Sequence, residues 1–309
     1  MLLNFSNASG VNNNLVSFQK RQQNTQPSDS IDLYKAQKLR QSISDILKED
    51  QQRKHPVIES IKPDTIEKLV DLANTKRSKP YIIGVAGGSG SGKTTIVKIF
   101  TDLINKIIPH YNSQKPFIQN IKYDNFYYDF SEEVRQKGSD EVMKTKDLDC
   151  PQALDTSLLI KKLNELKQGK DIKTPEFLLN NSGIRIEDNI TVKTSPIVTL
   201  EGLFTLWNKN LRNLLDLKIF IEASKEVRSK RWWDRAKERN IEDDEVGRAF
   251  YNRTFNNHDI YVEPTKRYAD IVINADGDQK DVQKVLRQIT TLISKNISFS
   301  GMFGTKKAA

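Results

Sequence analysis

Eight consecutive residues, Gly87-Gly88-Ser89-Gly90-Ser91-Gly92-Lys93-Thr94, match G-x-x-x-x-G-K-[ST] at every fixed position. No other part of the chain constrains the fold as strongly, because this loop works only between a strand and a helix. Glycine lets the backbone close tightly around an anion and turn successive N–H groups inward. The helix that follows adds the positive end of its dipole. Lys93 is spaced to reach the terminal phosphates of a nucleotide, and the Thr94 hydroxyl is spaced to hold Mg²⁺, with Thr95 next to it. Both flanks are present: Tyr81-Ile82-Ile83-Gly84-Val85-Ala86 reads as a buried strand, and Ile96, Val97, Ile99 and Phe100 follow at helical spacing.

The same alternation continues downstream. Strands are expected at 117–123, 196–200, 217–221 and 271–274. Helices are expected at 153–168, 206–215, 225–239, 242–257 and 280–295. Such a succession predicts an α/β, P-loop NTPase-type parallel sheet with helices on both faces. Between Thr174 and Thr194 the period changes, and Asn180-Asn181-Ser182-Gly183 sits between two β-like runs, which predicts an inserted β-hairpin. Upstream, Ile31 to Lys76 reads as two helical pieces, and residues 1–30 are polar and aperiodic, as in a disordered segment. The helix over 225–239 carries Arg228, Arg231, Arg235 and Arg239, spaced to lie near one face.

Lys and Arg outnumber Asp and Glu by 49 to 40, and the two signs are interspersed rather than clustered. This suits a small anionic ligand; no nucleic acid and no membrane are expected as partners. With Cys150 as the single cysteine, no intrachain disulfide can form and a cytoplasmic setting fits, a mitochondrial address being the minority alternative.

Four further stretches accompany the loop: Tyr123-Asp124-Asn125-Phe126-Tyr127-Tyr128, Leu148-Asp149-Cys150-Pro151-Gln152-Ala153-Leu154-Asp155, Leu200-Glu201-Gly202, and Glu263-Pro264-Thr265-Lys266-Arg267-Tyr268-Ala269-Asp270. In this order and spacing, over roughly residues 81–295, the chain resembles the uridine–cytidine kinase group of the phosphoribulokinase/uridine kinase family. The resemblance implies ATP (or GTP) as phosphate donor, Mg²⁺ as cofactor, and uridine or cytidine as acceptor in pyrimidine salvage. By the same likeness Asp124 is the catalytic base, with Lys93 beside it; Thr94, Glu201 and Asp124 are the metal residues; Asp149, Tyr127, Phe177 and Arg185 meet the acceptor. Gly87 to Thr95 hold the donor, and 225–239 becomes a lid whose Arg231 and Arg235 meet the phosphates, arginine being suited to bidentate phosphate contact. Family members often assemble, so a homo-oligomer is compatible with the sequence.

The domain reading is then a disordered polar segment over 1–30, a helical extension over 31–79, a P-loop kinase domain over 80–296 and a flexible tail over 297–309. Three positions depart from uridine kinases: Cys150 stands where His is usual, Phe177 stands where Tyr is usual, without the hydroxyl, and the hairpin position expected to be His falls near Ser182. These leave open a different hydroxyl metabolite as acceptor, or a nucleotide-binding regulatory protein without transfer activity.

Overall fold

A computed structural model of the chain describes residues 27–73, 79–108, 116–178, 183–239 and 241–296. The expected disordered segment up to residue 26 and the expected tail from 297 lie outside the described residues.

Six strands form the main sheet: β1 (Ile58–Ile61), β2 (Tyr81–Gly87), β3 (Ile118–Lys122), β6 (Ile197–Glu201), β7 (Leu217–Glu222) and β8 (Ile271–Asn274). Their spatial order is β1-β8-β7-β2-β6-β3, parallel throughout except for β1, which runs antiparallel along β8. The phosphate-loop strand β2 is therefore central. All seven of its residues are buried, which its apolar run required.

Side chains alternate across the sheet and divide the core. Tyr81, Ile83 and Val85 join one apolar cluster; Ile82 and Ala86 join the other. The first face is covered by α1 (Pro27–Gln51), α2 (Thr65–Ala73), α3 (Lys93–Ile107) and α10 (Gln279–Asn296). The second carries α6 (Thr156–Lys167), whose Leu159, Leu163 and Leu166 are fully buried. The inserted hairpin is β4 (Ile172–Leu178) paired antiparallel with β5 (Ile184–Val192). The remaining helices are α4 (Ser131–Lys137), α5 (Ser139–Thr145), α7 (Lys209–Arg212), α8 (Lys225–Glu238) and α9 (Glu245–Asn257).

Three expectations are corrected. Residues 27–30 already belong to α1, so the polar segment ends before residue 30. The region from 31 to 79 is not all helical, since Ile58–Ile61 supplies the edge strand β1; its helices share the sheet's core, a point the sequence left open. The helix expected over 206–215 shrinks to the single turn of α7, where Leu206, Leu211 and Leu215 are buried and Asn208 caps the turn by accepting from the Asn210 and Leu211 amides. Among the described residues no helix is long and apolar enough to cross a membrane.

What fixes β1 is a buried carboxylate. Asp50, 1% exposed at the end of α1, accepts the Ile58 amide at 2.7 Å and the Val57 amide at 3.2 Å, with the Arg53 guanidinium 3.2 Å away. In turn the Val57 carbonyl accepts the Asn274 amide at 2.8 Å, which continues the ladder onto β8. Removing the carboxylate leaves two buried amides unsatisfied. Asp50→Ala is therefore expected to lower the unfolding free energy by about 2–4 kcal/mol, measured by urea denaturation; an unchanged midpoint would show that β1 is held by other contacts.

Candidate active site

The parallel strands aim their C-terminal ends at one rim, where such sheets collect ligands. Here that rim opens into a cleft of about 670 Å³ lined by Ser89, Gly90, Gly92, Lys93, Thr94 and Thr95 on the donor side. Three left-handed glycines shape the loop, with φ of +147° at Gly87, +77° at Gly90 and +97° at Gly92, conformations that side chains strain to adopt. Gly87, Gly88 and Ser91 form the back of the loop and do not line the cleft.

Lys93, half-buried at the first turn of α3, donates to the Gly88 carbonyl at 2.9 Å. Burial and the nearby Arg235 and Arg228 push its ammonium down to about 8, against the opposing pull of Asp124 and Glu201. Asp124 follows β3 in a short 3₁₀ turn and faces the cleft, where solvent reaches its side chain. The surrounding protein still raises its carboxyl above the usual range; the Lys93 charge opposes that shift and the Glu201 carboxylate adds to it.

Glu201 ends β6 and is 4% exposed. Its Oε1 accepts the Asn120 side-chain amide at 2.8 Å, whereas its buried Oε2 has no hydrogen-bond partner. A buried carboxylate oxygen without a donor is costly, and a cation beside it removes that cost. With the Thr94 hydroxyl and Asp124 at the same cleft, the donors are all hard oxygens, which fits Mg²⁺, an ion that keeps water and phosphate oxygens for its remaining positions. Among the described residues no group of three or more His, Cys, Asp or Glu forms a metal cage.

Asp149 lines the same cleft with Tyr127, Phe177 and Leu148. Burial raises its carboxyl to about 6, a hydrogen bond from Thr254 at 2.5 Å opposing and the Asp124 charge reinforcing the shift. Tyr127 and Phe130 tilt against Phe177 with ring centroids 5.1 and 5.5 Å away, which builds an aromatic wall.

The lid residues are sorted less simply than their spacing implied. Arg231 donates to the Gly90 and Ser91 carbonyls at 3.3 Å each and to Ala275 at 3.0 Å, and Arg235 donates to Ser89 Oγ at 2.6 Å. Arg231, Arg235 and Arg239 line the cleft; Arg228 does not, being 5% exposed and bonded to the Ala223 carbonyl at 3.1 Å. Trp232, 3% exposed, packs edge-on against Trp233, Phe250 and Tyr251 beneath the lid.

Arg185 is the expected acceptor-contact residue that does not line the cleft. It lies on the hairpin with its guanidinium 2.7 Å from Glu187 and 3.5 Å from Asp155, so its charge is already occupied. Cys150 instead borders a second cleft of about 350 Å³ with Tyr128 and Lys146, its thiol pushed up by burial. Sequence reasoning missed Asn120, which orients Glu201; Thr254, which holds Asp149; and Lys122, which lines the cleft. Asn120 stands beside another polar residue, Gln119, in Ile118-Gln119-Asn120-Ile121-Lys122, so the strand did not single it out. Nothing local marked the other two.

A phosphate-binding loop, a cleft carboxylate beside its lysine and a lid of arginines define a P-loop phosphotransferase acting on an alcohol acceptor. The chain belongs to the Phosphoribulokinase / Uridine kinase family, whose signature matches residues 82–282. It is 35% identical over 216 residues to a uridine kinase of Staphylococcus aureus (strain JH9), which covers 69% of this chain and 97% of that protein. Among solved structures it is similar to YFH7 from Saccharomyces cerevisiae, with a TM-score of 0.50 at 15% identity, covering 69% of this chain and 98% of that one. That likeness concerns the fold.

The tight loop is directly testable. A Cβ at Gly90 would sit 2.5 Å from the Arg228 carbonyl oxygen, on a backbone at φ +77°. Because the obstacle is backbone, Gly90→Ala is expected to weaken nucleotide affinity at least about tenfold and cost about 1–3 kcal/mol of stability, read by calorimetry and thermal unfolding. Wild-type affinity would show that the loop relaxes freely.

Proposed function

We propose that this chain transfers the γ-phosphoryl group of ATP (or GTP) to the 5′-hydroxyl of uridine or cytidine, giving UMP or CMP in pyrimidine salvage. The observation that supports this reading is that Asp124, Lys93 and Asp149 line one cleft, the Asp124 charge acting on both of the others. The 35%-identical uridine kinase supports the choice of acceptor.

In this reading the loop amides and Lys93 hold the triphosphate, Lys93 exchanging its Gly88 carbonyl for phosphate oxygens. Arg231 and Arg235 leave the Ser89, Gly90 and Ser91 acceptors for the same phosphates. Thr94 and Glu201, with Asp124 beside them, are the residues that would hold Mg²⁺, which supplies charge neutralisation on phosphate oxygens when bound. Asp149 accepts hydrogen bonds from the sugar hydroxyls, as an ionised carboxylate can only accept. Asp124 takes the proton of the attacking 5′-hydroxyl as its oxygen bonds to the γ-phosphorus and the bond to the ADP oxygen breaks. Tyr127 and Phe177 flank the base. The lone free thiol of Cys150 is consistent with work in a reducing, cytoplasmic compartment.

The decisive experiment is product analysis by mass spectrometry with uridine, cytidine, adenosine, pantothenate and glycerate as acceptors, with and without Mg²⁺. UMP and CMP are expected, and Asp124→Asn is expected to lower kcat about 10²–10⁴-fold. Turnover of another acceptor alone would overturn the substrate, and full activity of the Asn variant would remove Asp124 from its role.

A second outcome concerns pH. Asp149 must be ionised to accept from the sugar and its carboxyl stands at about 6, so kcat/KM for the nucleoside is expected to fall as pH drops through about 6. An acid limb near 4 would mean that the sugar is held by something else.

A further inference from the structure

The helix α9 grips the segment that carries Asp149 with three side chains near its C-terminus. Arg253 donates to the Met143 and Lys144 carbonyls, Asn257 donates to Asp147 Oδ1 at 2.7 Å, and Thr254 meets Asp149 Oδ2 at 2.5 Å. Thr254 is 5% exposed and lines the cleft, so its hydroxyl is spent inside the site rather than on solvent.

We propose that Thr254 is a positioning residue for the acceptor: by holding Asp149 Oδ2 it fixes the carboxylate plane, so that Oδ1 faces the hydroxyls of a vicinal diol. The proposal rests on the reading of Asp149 as the sugar-binding carboxylate. An ionised carboxylate only accepts, so the Thr254 hydroxyl must donate to it, and this leaves the threonine lone pairs available to a second substrate hydroxyl. Free rotation about the Asp149 side chain would spread its oxygens over several orientations; one short hydrogen bond from a rigid helix removes that freedom. Threonine suits the task because its branched Cβ restricts χ1 on a helix.

The position has a further consequence. Phe255, next to Thr254, packs with Trp232 and Ala236 of the lid helix α8. Acceptor carboxylate and lid therefore share one support, and donor and acceptor ends of the cleft are aligned through α9. The charged and titratable groups around Asp149 are Asp124 after β3, Asp147 and Cys150 on its own segment, Tyr127, Arg253 on α9 and Arg235 on α8. Against burial and the Asp124 and Asp147 charges, the Thr254 hydrogen bond is the larger influence favouring the ionised form, with the Arg253 charge adding to it.

The test compares Thr254→Val, which keeps the shape, with Thr254→Ser, which keeps the hydroxyl, in the full chain. Thr254→Val is expected to raise KM for uridine ~10-fold or more, to leave KM for ATP within about twofold, and to move the acid limb of kcat/KM to higher pH. It should also shrink the preference for uridine over 2′-deoxyuridine, which a purely structural hydroxyl would not touch. Thr254→Ser should restore all three. Thr254→Ala, which a helix tolerates well, repeats the measurement if the valine variant does not accumulate. Unchanged uridine KM and pH profile in both variants would overturn the proposal, as would equal changes in both KM values. Asp149→Asn separates the two levels: if it leaves the uridine KM unchanged, the sugar-binding reading itself has failed; if it alone is impaired, only the role of Thr254 has.

Discussion

The architecture depends on how closely the phosphate loop lies against the start of the lid helix. A Cβ on Gly90 would come within 2.5 Å of the Arg228 carbonyl oxygen, and one on Gly88 within 2.8 Å of His258 Nδ1 and 2.9 Å of the Arg228 side chain. Side-chain-free residues are therefore required at loop positions that the bare motif leaves variable. Arg228 is buried for the same reason: its guanidinium bonds the Ala223 carbonyl and lies 5.1 Å over the Phe255 ring, so it supports the loop from behind. Burial lowers its basicity, with Glu222 opposing, but an arginine stays charged through such a shift. Loop, lid helix and the turn at His258 thus form one packed unit, and Arg231 and Arg235 start from the loop itself.

That unit explains which features were legible beforehand. The strand and helix around the loop were readable because the loop chemistry demands both and β2 is apolar on its two faces. Asp124, Asp149 and Glu201 were readable because each sits in a family stretch at a strand end or loop. Strand β1 was not: Ile58-Glu59-Ser60-Ile61 has only two apolar residues and becomes a strand by pairing with Ile271 to Ile273, more than two hundred residues away. Its stabilising carboxylate, Asp50, looked like the end of a polar helix. Arg185 failed in the opposite way, since a plausible charge on the hairpin is claimed by Glu187 and Asp155, partners no local pattern reveals.

The cleft's electrostatics belong to a site that expects a polyanion. Lys93, Lys122, Arg231, Arg235 and Arg239 line it together with Asp124, Asp149 and Glu201. Crowding of like charge leaves a signature on both signs: Arg235 is lowered by burial and then by Arg239, and Asp149 is raised by burial and further by Asp124. In the meantime the Gly90, Ser91 and Ala275 carbonyls hold Arg231, and the Ser89 hydroxyl holds Arg235. Those neutral acceptors are weaker partners than phosphate oxygens, so the arginines can be transferred to a bound triphosphate at small cost. The carboxylates have the complementary need. Glu201 retains a buried oxygen without a donor, and Asp124 is held near Lys93, whose own charge is depressed by burial. A bound nucleotide with its cation would relieve both imbalances at once, lifting Lys93 toward its charged form and partnering the orphaned oxygen. On the proposed reading, binding energy in this cleft would come from groups that are poorly matched without the ligand, so that triphosphate and cation together would be favoured over either alone.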